Sequence, residues 1–349
     1  MSVSGTDAIL REARGWRRDG RGVALATVLE TWGSAPRRPG AHMAVREDGA
    51  FVGSVSGGCV EVAVAEEARV VLEEARRRIV EYGVADETAW SVGLACGGRI
   101  RVLVEPLGPG GIDDAVLDAV MAARAETRPV ALATALDGRG HAVVSDEDGG
   151  VILAGALGGD GWTGAVHEVL RLDRARVVGG PEQGIFLRPH NPPVRIVIVG
   201  AVHLAQALAP LVASLGYRPV VVDPREAFAT QERFPGVSLV RRWPAEALDE
   251  LGPDARTGVV VVTHDPKFDD PALVRALASP AFYVGALGSR RTHARRLDRL
   301  RQEGLADVDL DRIHAPVGLD IGARSPEEIA VAILAEIVQA LRRPPEARS

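Results

Sequence analysis

Two regimes of apolar patterning divide this chain. Up to about residue 190, short apolar runs are interrupted by glycine and proline; beyond residue 194, strand-length apolar runs alternate with helical segments. In Asp7–Arg18, Ile9, Leu10, Ala13 and Trp16 share one face, which predicts a helix. Val23–Glu30 reads as a strand, and Ala41–Arg46 with Ala50–Val55 predict a hairpin around Glu47-Asp48-Gly49. The chain then enters Ser56-Gly57-Gly58-Cys59, and the periodicity from Glu61 onward predicts a helix over about residues 60–80. Trp90–Leu94 leads to a second glycine turn, Ala95-Cys96-Gly97-Gly98, and a strand over Arg99–Glu105. A helix over 112–125 and a strand pair, Val130–Leu136 and His141–Ser145, follow; residues 149–164 are too rich in glycine to give a pattern. Pro189-His190-Asn191-Pro192-Pro193 reads as a stiff linker excluded from helix and central strand, which sets domains at 1–190 and 194–349.

After the linker, strands are expected at Arg195–Gly200, Pro219–Asp223, Val237–Arg241, Val259–Thr263 and Phe282–Leu287. Helices near 203–215, 245–251, 270–278 and 291–303 separate or follow them. The class is therefore α/β, an N-terminal α+β domain followed by a Rossmann-like, doubly wound parallel sheet. A last helix, Ser325–Arg342, opens on Ser-Pro-Glu-Glu, a capping-box pattern with proline at the first helical position.

Composition narrows the function. The chain has 349 residues, 46% hydrophobic and 25% charged, with a net charge of −6, which is unlike a nucleic-acid-binding domain. Lys267 is the only lysine, so arginine carries almost all of the positive charge and individual arginines are weak signals. Two cysteines, Cys59 and Cys96, are too few for a disulfide framework and point to a reducing cytoplasm. No signal peptide or membrane span is expected; the most apolar window, Ile196–Leu215, contains His203, Gln206 and Pro210 and reads as strand then helix.

Chemistry concentrates at glycine turns. Ser56-Gly57-Gly58-Cys59, between a strand end and a helix N-terminus, predicts an anion cradle of backbone N–H groups. At such a position Cys59 is either a ligand or nucleophile favoured as thiolate, or a small cysteine filling a tight turn. In the second domain, Gly200-Ala201-Val202-His203-Leu204-Ala205 departs from the dinucleotide fingerprint at Val202, where glycine lets the backbone approach a pyrophosphate. Asp223 lies where a ribose-binding carboxylate is expected. Thr263-His264-Asp265 and Gly288-Ser289-Arg290-Arg291 follow the fourth and fifth strands, at the ligand-binding edge of such sheets. Zinc-ligand spacing, a P-loop and a nucleophile elbow are all absent. An NAD(P)-dependent oxidoreductase with His264 as acid/base is one reading of this half.

Taken together, Thr31–Met43 (TWGSAPRRPGAHM), Val52–Glu61 (VGSVSGGCVE), Gly93–Leu107, Val197–Ala209 (VIVGAVHLAQALA), Val221–Arg225, Thr263–Asp265, Tyr283–Thr292 and Pro316–Ile337 resemble the xanthine dehydrogenase accessory factors of the XdhC/CoxI type. One departure is Val202, where members usually have glycine. The resemblance implies a cytoplasmic maturation factor, not an enzyme, working as a homodimer with a cysteine desulfurase. Such a factor protects the molybdenum cofactor (molybdopterin, in mononucleotide or dinucleotide form) during sulfuration and delivers it to an apo molybdenum hydroxylase. The cofactor-binding candidates on the matching motifs are Arg37, Ser56, Gly57, Gly58, Cys59, Glu61, Cys96 and Gly97 in the first domain. In the second they are Gly200, His203, Asp223, Arg225, His264, Asp265, Gly288, Ser289 and Arg290. Thiolates suit a soft Mo–sulfur centre, so Cys59 and Cys96 are also the candidates for contact with molybdenum or its sulfido ligand.

Overall fold

The computed structural model describes residues 6–33, 37–58, 60–83, 98–146, 150–158 and 161–342. The chain divides into two compact units, Met1–Pro192 and Pro193–Ser349. Unit 1 begins with α1 (Thr6–Arg18), β1 (Val23–Trp32), β2 (His42–Arg46), β3 (Phe51–Gly53), α2 (Glu61–Glu74), β4 (Arg78–Gly83) and β5 (Arg99–Pro106). These strands form an antiparallel sheet in the order β3-β2-β1-β5-β4. The helix expected over residues 60–80 stops at Glu74, where Ala75 turns left-handed and its N–H donates to the Val71 carbonyl. Arg78 then folds back onto Glu67 and Glu74, and the arginine run that resembles a helix surface opens β4 instead.

The rest of unit 1 repeats this plan. It contains α3 (Asp114–Ala125), β6 (Val130–Ala135), β7 (His141–Ser145), β8 (Ile152–Gly155), α4 (Val166–Leu172), β9 (Arg176–Val178) and β10 (Ile185–His190). The second sheet runs β8-β7-β6-β10-β9, the same order with the same antiparallel pairing. Even single residues correspond. Val23–Thr27 and Val130–Thr134 are both Val-Ala-Leu-Ala-Thr. Thr27 pairs with His42 as Thr134 pairs with His141, and Leu25 faces Glu105 as Leu132 faces Arg188. Gly53 and Gly155 both have positive φ, and a Cβ at either would meet the carbonyl oxygen of His42 (2.4 Å) or His141 (2.2 Å). Unit 1 is a duplicated αβββαββ module.

The copies are joined through their helices and through reciprocal polar contacts. Leu10 and Ala13 of α1 share a core with Val116, Leu117 and Val120 of α3. Arg14 reaches Asp114 and Asp118. The Glu105 carboxylate of the first copy meets His141 Nε2 of the second at 2.9 Å, while Arg188 of the second donates to the Gly40 carbonyl of the first at 2.6 Å. Burial pushes His42 and His190 well below the usual imidazole range, with the Arg188 charge adding to it. Pro189 and His190, expected in the linker, extend β10 instead. There they pair only with β6, so the missing proline N–H costs no ladder bond on the β9 side.

Unit 2 alternates β11 (Arg195–Val199), α5 (His203–Ser214), β12 (Arg218–Val222), β13 (Ser238–Val240), α6 (Pro244–Leu251), β14 (Thr257–Val261), α7 (Pro266–Leu277), β15 (Tyr283–Ala286), α8 (Arg290–Gln302), α9 (Asp307–Leu310), β16 (Ile313–His314) and α10 (Pro326–Arg342). All pairings are parallel, in the order β13-β12-β11-β14-β15-β16. This is the Rossmann order, with its reversal between β11 and β14. Strands buried on both faces explain the unbroken Val/Ile runs: α5 and α10 cover one face, while α6, α7 and α8 cover the other.

The capping box of α10 is formed as expected: Glu328 N–H donates to the Ser325 hydroxyl at 3.2 Å, and Ser325 N–H to the Glu328 carboxylate at 3.1 Å. Ser325→Ala should lower stability by about 1 kcal/mol, the usual worth of an N-cap; an unchanged melting temperature would show that the cap contributes nothing. Among the described residues no helix is long and apolar enough to cross a membrane.

Candidate functional site

In unit 1 the glycine turn between β3 and α2 does gather backbone donors, and their anion is the chain's own Glu61. One carboxylate oxygen accepts from the Ser54 hydroxyl (2.6 Å) and the N–H groups of Val55, Ser56 and Gly57 (3.0–3.2 Å). The other accepts from the Ser56 hydroxyl (2.6 Å) and the N–H groups of Gly58 and Val60 (2.9 and 3.2 Å). Glu61 is 5% exposed. Burial alone would raise its pKa, but the hydroxyl and backbone donors outweigh it and bring the carboxyl down to about 2. The structure thus brings Ser56, Gly57, Gly58 and Glu61 together. Cys59 lies outside the described residues, as do Cys96 and Gly97.

The duplication supplies an internal comparison. Aligned on Gly53 and Gly155, Ser54 corresponds to Ala156 and Ser56 to Gly158, so the second copy has neither hydroxyl. The two hydroxyls that hold the Glu61 carboxylate are therefore particular to the first copy.

Close to the Thr31–Met43 segment is a cleft of about 510 Å³, bordered by Thr31, Trp32 and Pro39 from the first copy and Arg174 and Arg176 from the second. Its volume suits a small-molecule site. Arg99 stacks on Trp32 at 4.3 Å. Arg37 is exposed in the connection leading to β2. Arg174 and Arg176 were not among the expected residues, since two arginines in a chain full of them give no signal.

In unit 2 every expected residue follows a strand at the carboxyl edge of the sheet, but they do not form one constellation. Gly200 has φ +112°, and a Cβ there would lie 2.4 Å from Thr263 Cγ2, so the first turn fits only glycine. The next N–H, of Ala201, donates to Asp223 Oδ2 at 2.8 Å. Arg225 holds both oxygens of the same carboxylate, Nε to Oδ1 at 2.9 Å and Nη2 to Oδ2 at 2.7 Å. Burial opposes ionisation of Asp223, yet Arg225 and these N–H groups win and hold it below the usual carboxylate range. A carboxylate so engaged is not available to a ribose diol in the customary way.

The other positions have local tasks. Asp265 caps α7, accepting from Lys267 N–H at 3.0 Å, and does not orient His264. His264 is exposed, with φ +65°. Ser289 caps α8 by accepting from Thr292 N–H at 3.2 Å. Gly288 precedes it in a turn whose Leu287 carbonyl accepts from buried Arg296 at 2.8 Å. His203 Nε2 lies 3.5 Å from the Glu327 carboxylate, and Arg290 is exposed. Sequence reasoning missed Asp269, which accepts from the Thr263 hydroxyl and pairs with Arg296 at 3.3 Å, linking the loops after β14 and β15. Among the described residues no group of three or more His, Cys, Asp or Glu can hold a metal ion. With Val202 in the fingerprint, Asp223 engaged and His264 unoriented, the geometry gives no support to an NAD(P) oxidoreductase.

Residues 196–337 match the XdhC Rossmann domain, and residues 16–83 match the XdhC and CoxI family. The molybdenum cofactor insertion chaperone PaoD of Escherichia coli is 32% identical over 330 residues, covering 94% of this chain and 86% of that protein. A Bacillus subtilis protein named as a probable xanthine dehydrogenase component is 27% identical, covering 92% and 94%. A crystal structure described as a xanthine dehydrogenase from Bacillus halodurans superposes over the whole chain with a TM-score of 0.73 at 27% identity, covering 98% of that chain. A match in each half and a near full-length relative agree: this chain belongs to the XdhC and CoxI family.

Proposed function

We propose that this protein binds the molybdenum cofactor, shields it while its sulfido ligand is installed, and inserts it into an apo molybdenum hydroxylase of the xanthine dehydrogenase type. The observation that carries this reading is the near full-length relationship to a cofactor insertion chaperone, which spans both units. The cofactor is cargo here: its dithiolene already holds molybdenum, so the chaperone needs only a shaped site and a soft contact. Arg174 beside the cleft suits a phosphate, Arg176 being paired with Glu168 at 2.7 Å, and Cys59 and Cys96 are the thiols available to the Mo–sulfur centre. The turn held by Glu61 fixes the backbone immediately before Cys59. Work in the cytoplasm, as a homodimer and with a cysteine desulfurase as sulfur donor, completes the reading.

The test is to purify the protein from cells that make the cofactor and assay bound molybdenum, pterin and nicotinamide. Molybdopterin without nicotinamide is the expected result; nicotinamide alone would overturn the proposal. Cys59→Ser and Cys96→Ser should each lower molybdenum retention about tenfold, in the range seen when groups around a metal centre are removed. Unchanged retention and transfer in both variants would remove the thiols from the site.

A further inference from the structure

The duplication in unit 1 allows one place in the fold to be compared with its own copy. After α2 and after α4 the chain turns left-handed, at Ala75 (φ +48°) and Asp173 (φ +51°), and then enters β4 and β9. Arg78 faces Val104 as Arg176 faces Leu187, so Arg77 of the first copy corresponds to Ala175 of the second. Arg77 reaches across to the second copy. Its Nη2 donates to the Ala135 carbonyl and lies 3.4 Å from the place a Cβ on Gly138 would take. Only 12% of its side chain is exposed. Ala175 stands at the mirrored place beside Leu29 and Pro39, the counterparts of Leu136 and Gly138. There the guanidinium gives way to the cleft of about 510 Å³. What one half fills with a side chain, the other leaves open.

The charge at the mirrored place is inverted as well. Arg77 lies 3.9 Å from the Glu105 carboxylate, whereas the counterpart of Glu105 is Arg188. Gly40 packs between Arg188 and Ala175: a Cβ on it would lie 3.4 Å from Arg188 Nε and 3.1 Å from Ala175 Cβ. Of the charged groups bordering the cleft, Glu30 is paired with Arg101, and Glu168 with Arg176. Arg174 is exposed and has no ion pair or side-chain hydrogen bond among the described residues. The charge left uncompensated is therefore positive.

From these differences we infer that the cleft is a ligand site for a small organic phosphate, kept open by Ala175. The phosphate meets Arg174, whose planar fork suits two oxygens at once. The body of the ligand lies against Leu29, Leu172 and Val177, in the space that Arg77 fills at the mirrored place. A volume of this size holds a ring with its phosphate. Where the ligand is the phosphate-bearing pterin of the cofactor, the assignment rests on the chaperone reading; for any other phosphate ester it stands alone.

The experiment is a calorimetric titration of cofactor-free, full-length protein with phenyl phosphate and with inorganic phosphate. Phenyl phosphate should bind, and inorganic phosphate roughly tenfold more weakly, because it forgoes the apolar wall. Ala175→Arg should abolish binding with an unchanged circular dichroism spectrum, since the module already accommodates arginine at this position. Arg174→Gln, at an exposed position that leaves the fold alone, should weaken binding about tenfold, the worth of a hydrogen bond to a charged group. Absence of phenyl phosphate binding, or binding unchanged in both variants, overturns the assignment. Inorganic phosphate binding as tightly as its phenyl ester overturns the role of the apolar wall. Molybdenum content of protein from cofactor-producing cells separates this inference from the chaperone reading. Molybdenum in the wild type and none in Ala175→Arg supports both, while equal content in the two overturns the cleft as the cofactor's place. Wild-type protein without molybdenum counts against the chaperone reading, and the phenyl phosphate titration then decides the cleft by itself.

Discussion

Replacing Glu61 by glutamine is expected to cost about 3 kcal/mol of stability at neutral pH, because an amide nitrogen would face donors that now meet a carboxylate oxygen. The Ser56 hydroxyl and the N–H groups of Gly58 and Val60 all converge on one oxygen, and the amide satisfies them in neither orientation without abandoning the opposite set. The acid side has its own signature. Glu61 is depressed from 4.5 to about 2, so the folded state binds this proton less readily than the unfolded chain. Its stabilisation is complete above about pH 4.5 and is lost as pH falls from there towards 2. The variant should lack that component, so the two stability curves converge in acid. Denaturation at pH 7 and pH 3 measures both. A loss below about 1 kcal/mol at pH 7 would mean that the turn holds its shape without the charge.

The second large effect belongs to Arg296. Arg296→Met should destabilise the protein by about 3–5 kcal/mol, because it strands the buried Asp269 carboxylate. The pair is already expensive. Burial raises the Asp269 carboxyl above its usual range despite the Thr263 hydroxyl and Arg296, and Nε and Nη1 of Arg296 have no partner among the described residues. In the variant, a raised folded-state value means that stability improves as pH is lowered, the opposite sign to Glu61. Combining Arg296→Met with Asp269→Asn should restore a large part of the loss by removing the charge while leaving an acceptor for Thr263. A double variant no more stable than the single one would show that the ion pair is not the source of the loss.

How much of this was legible depended on how each element is buried. The unit 2 strands announce themselves because a parallel strand covered on both faces is a continuous Val/Ile run, and Ser325 with Glu328 marks the last helix by local chemistry. In unit 1, β4 hides behind Arg76–Arg78, and β8 and β9 are too short for alternation to register. Asp223 stood where expected, yet its availability was decided by Arg225 two residues later, which spacing rules do not consider. Likewise the cradle at Ser56–Gly58 was legible, whereas its internal occupant required knowing that Glu61 points back into the turn.

Twin central strands pose a problem while the chain is still finding its fold. β1 and β6 share a pentapeptide, so each offers nearly the same face to β5 and to β10, and exchange of partners between the copies is the natural error. The equivalent positions Glu105 and Arg188 carry opposite charge. Correct pairing sets Glu105 against His141 and Arg188 against the Gly40 carbonyl and the His190 ring; exchange would strand the carboxylate beside that carbonyl, with no donor in place of His141. The buried Glu105 carboxylate thus acts as an address label, telling two central strands that share a pentapeptide which sheet each belongs to.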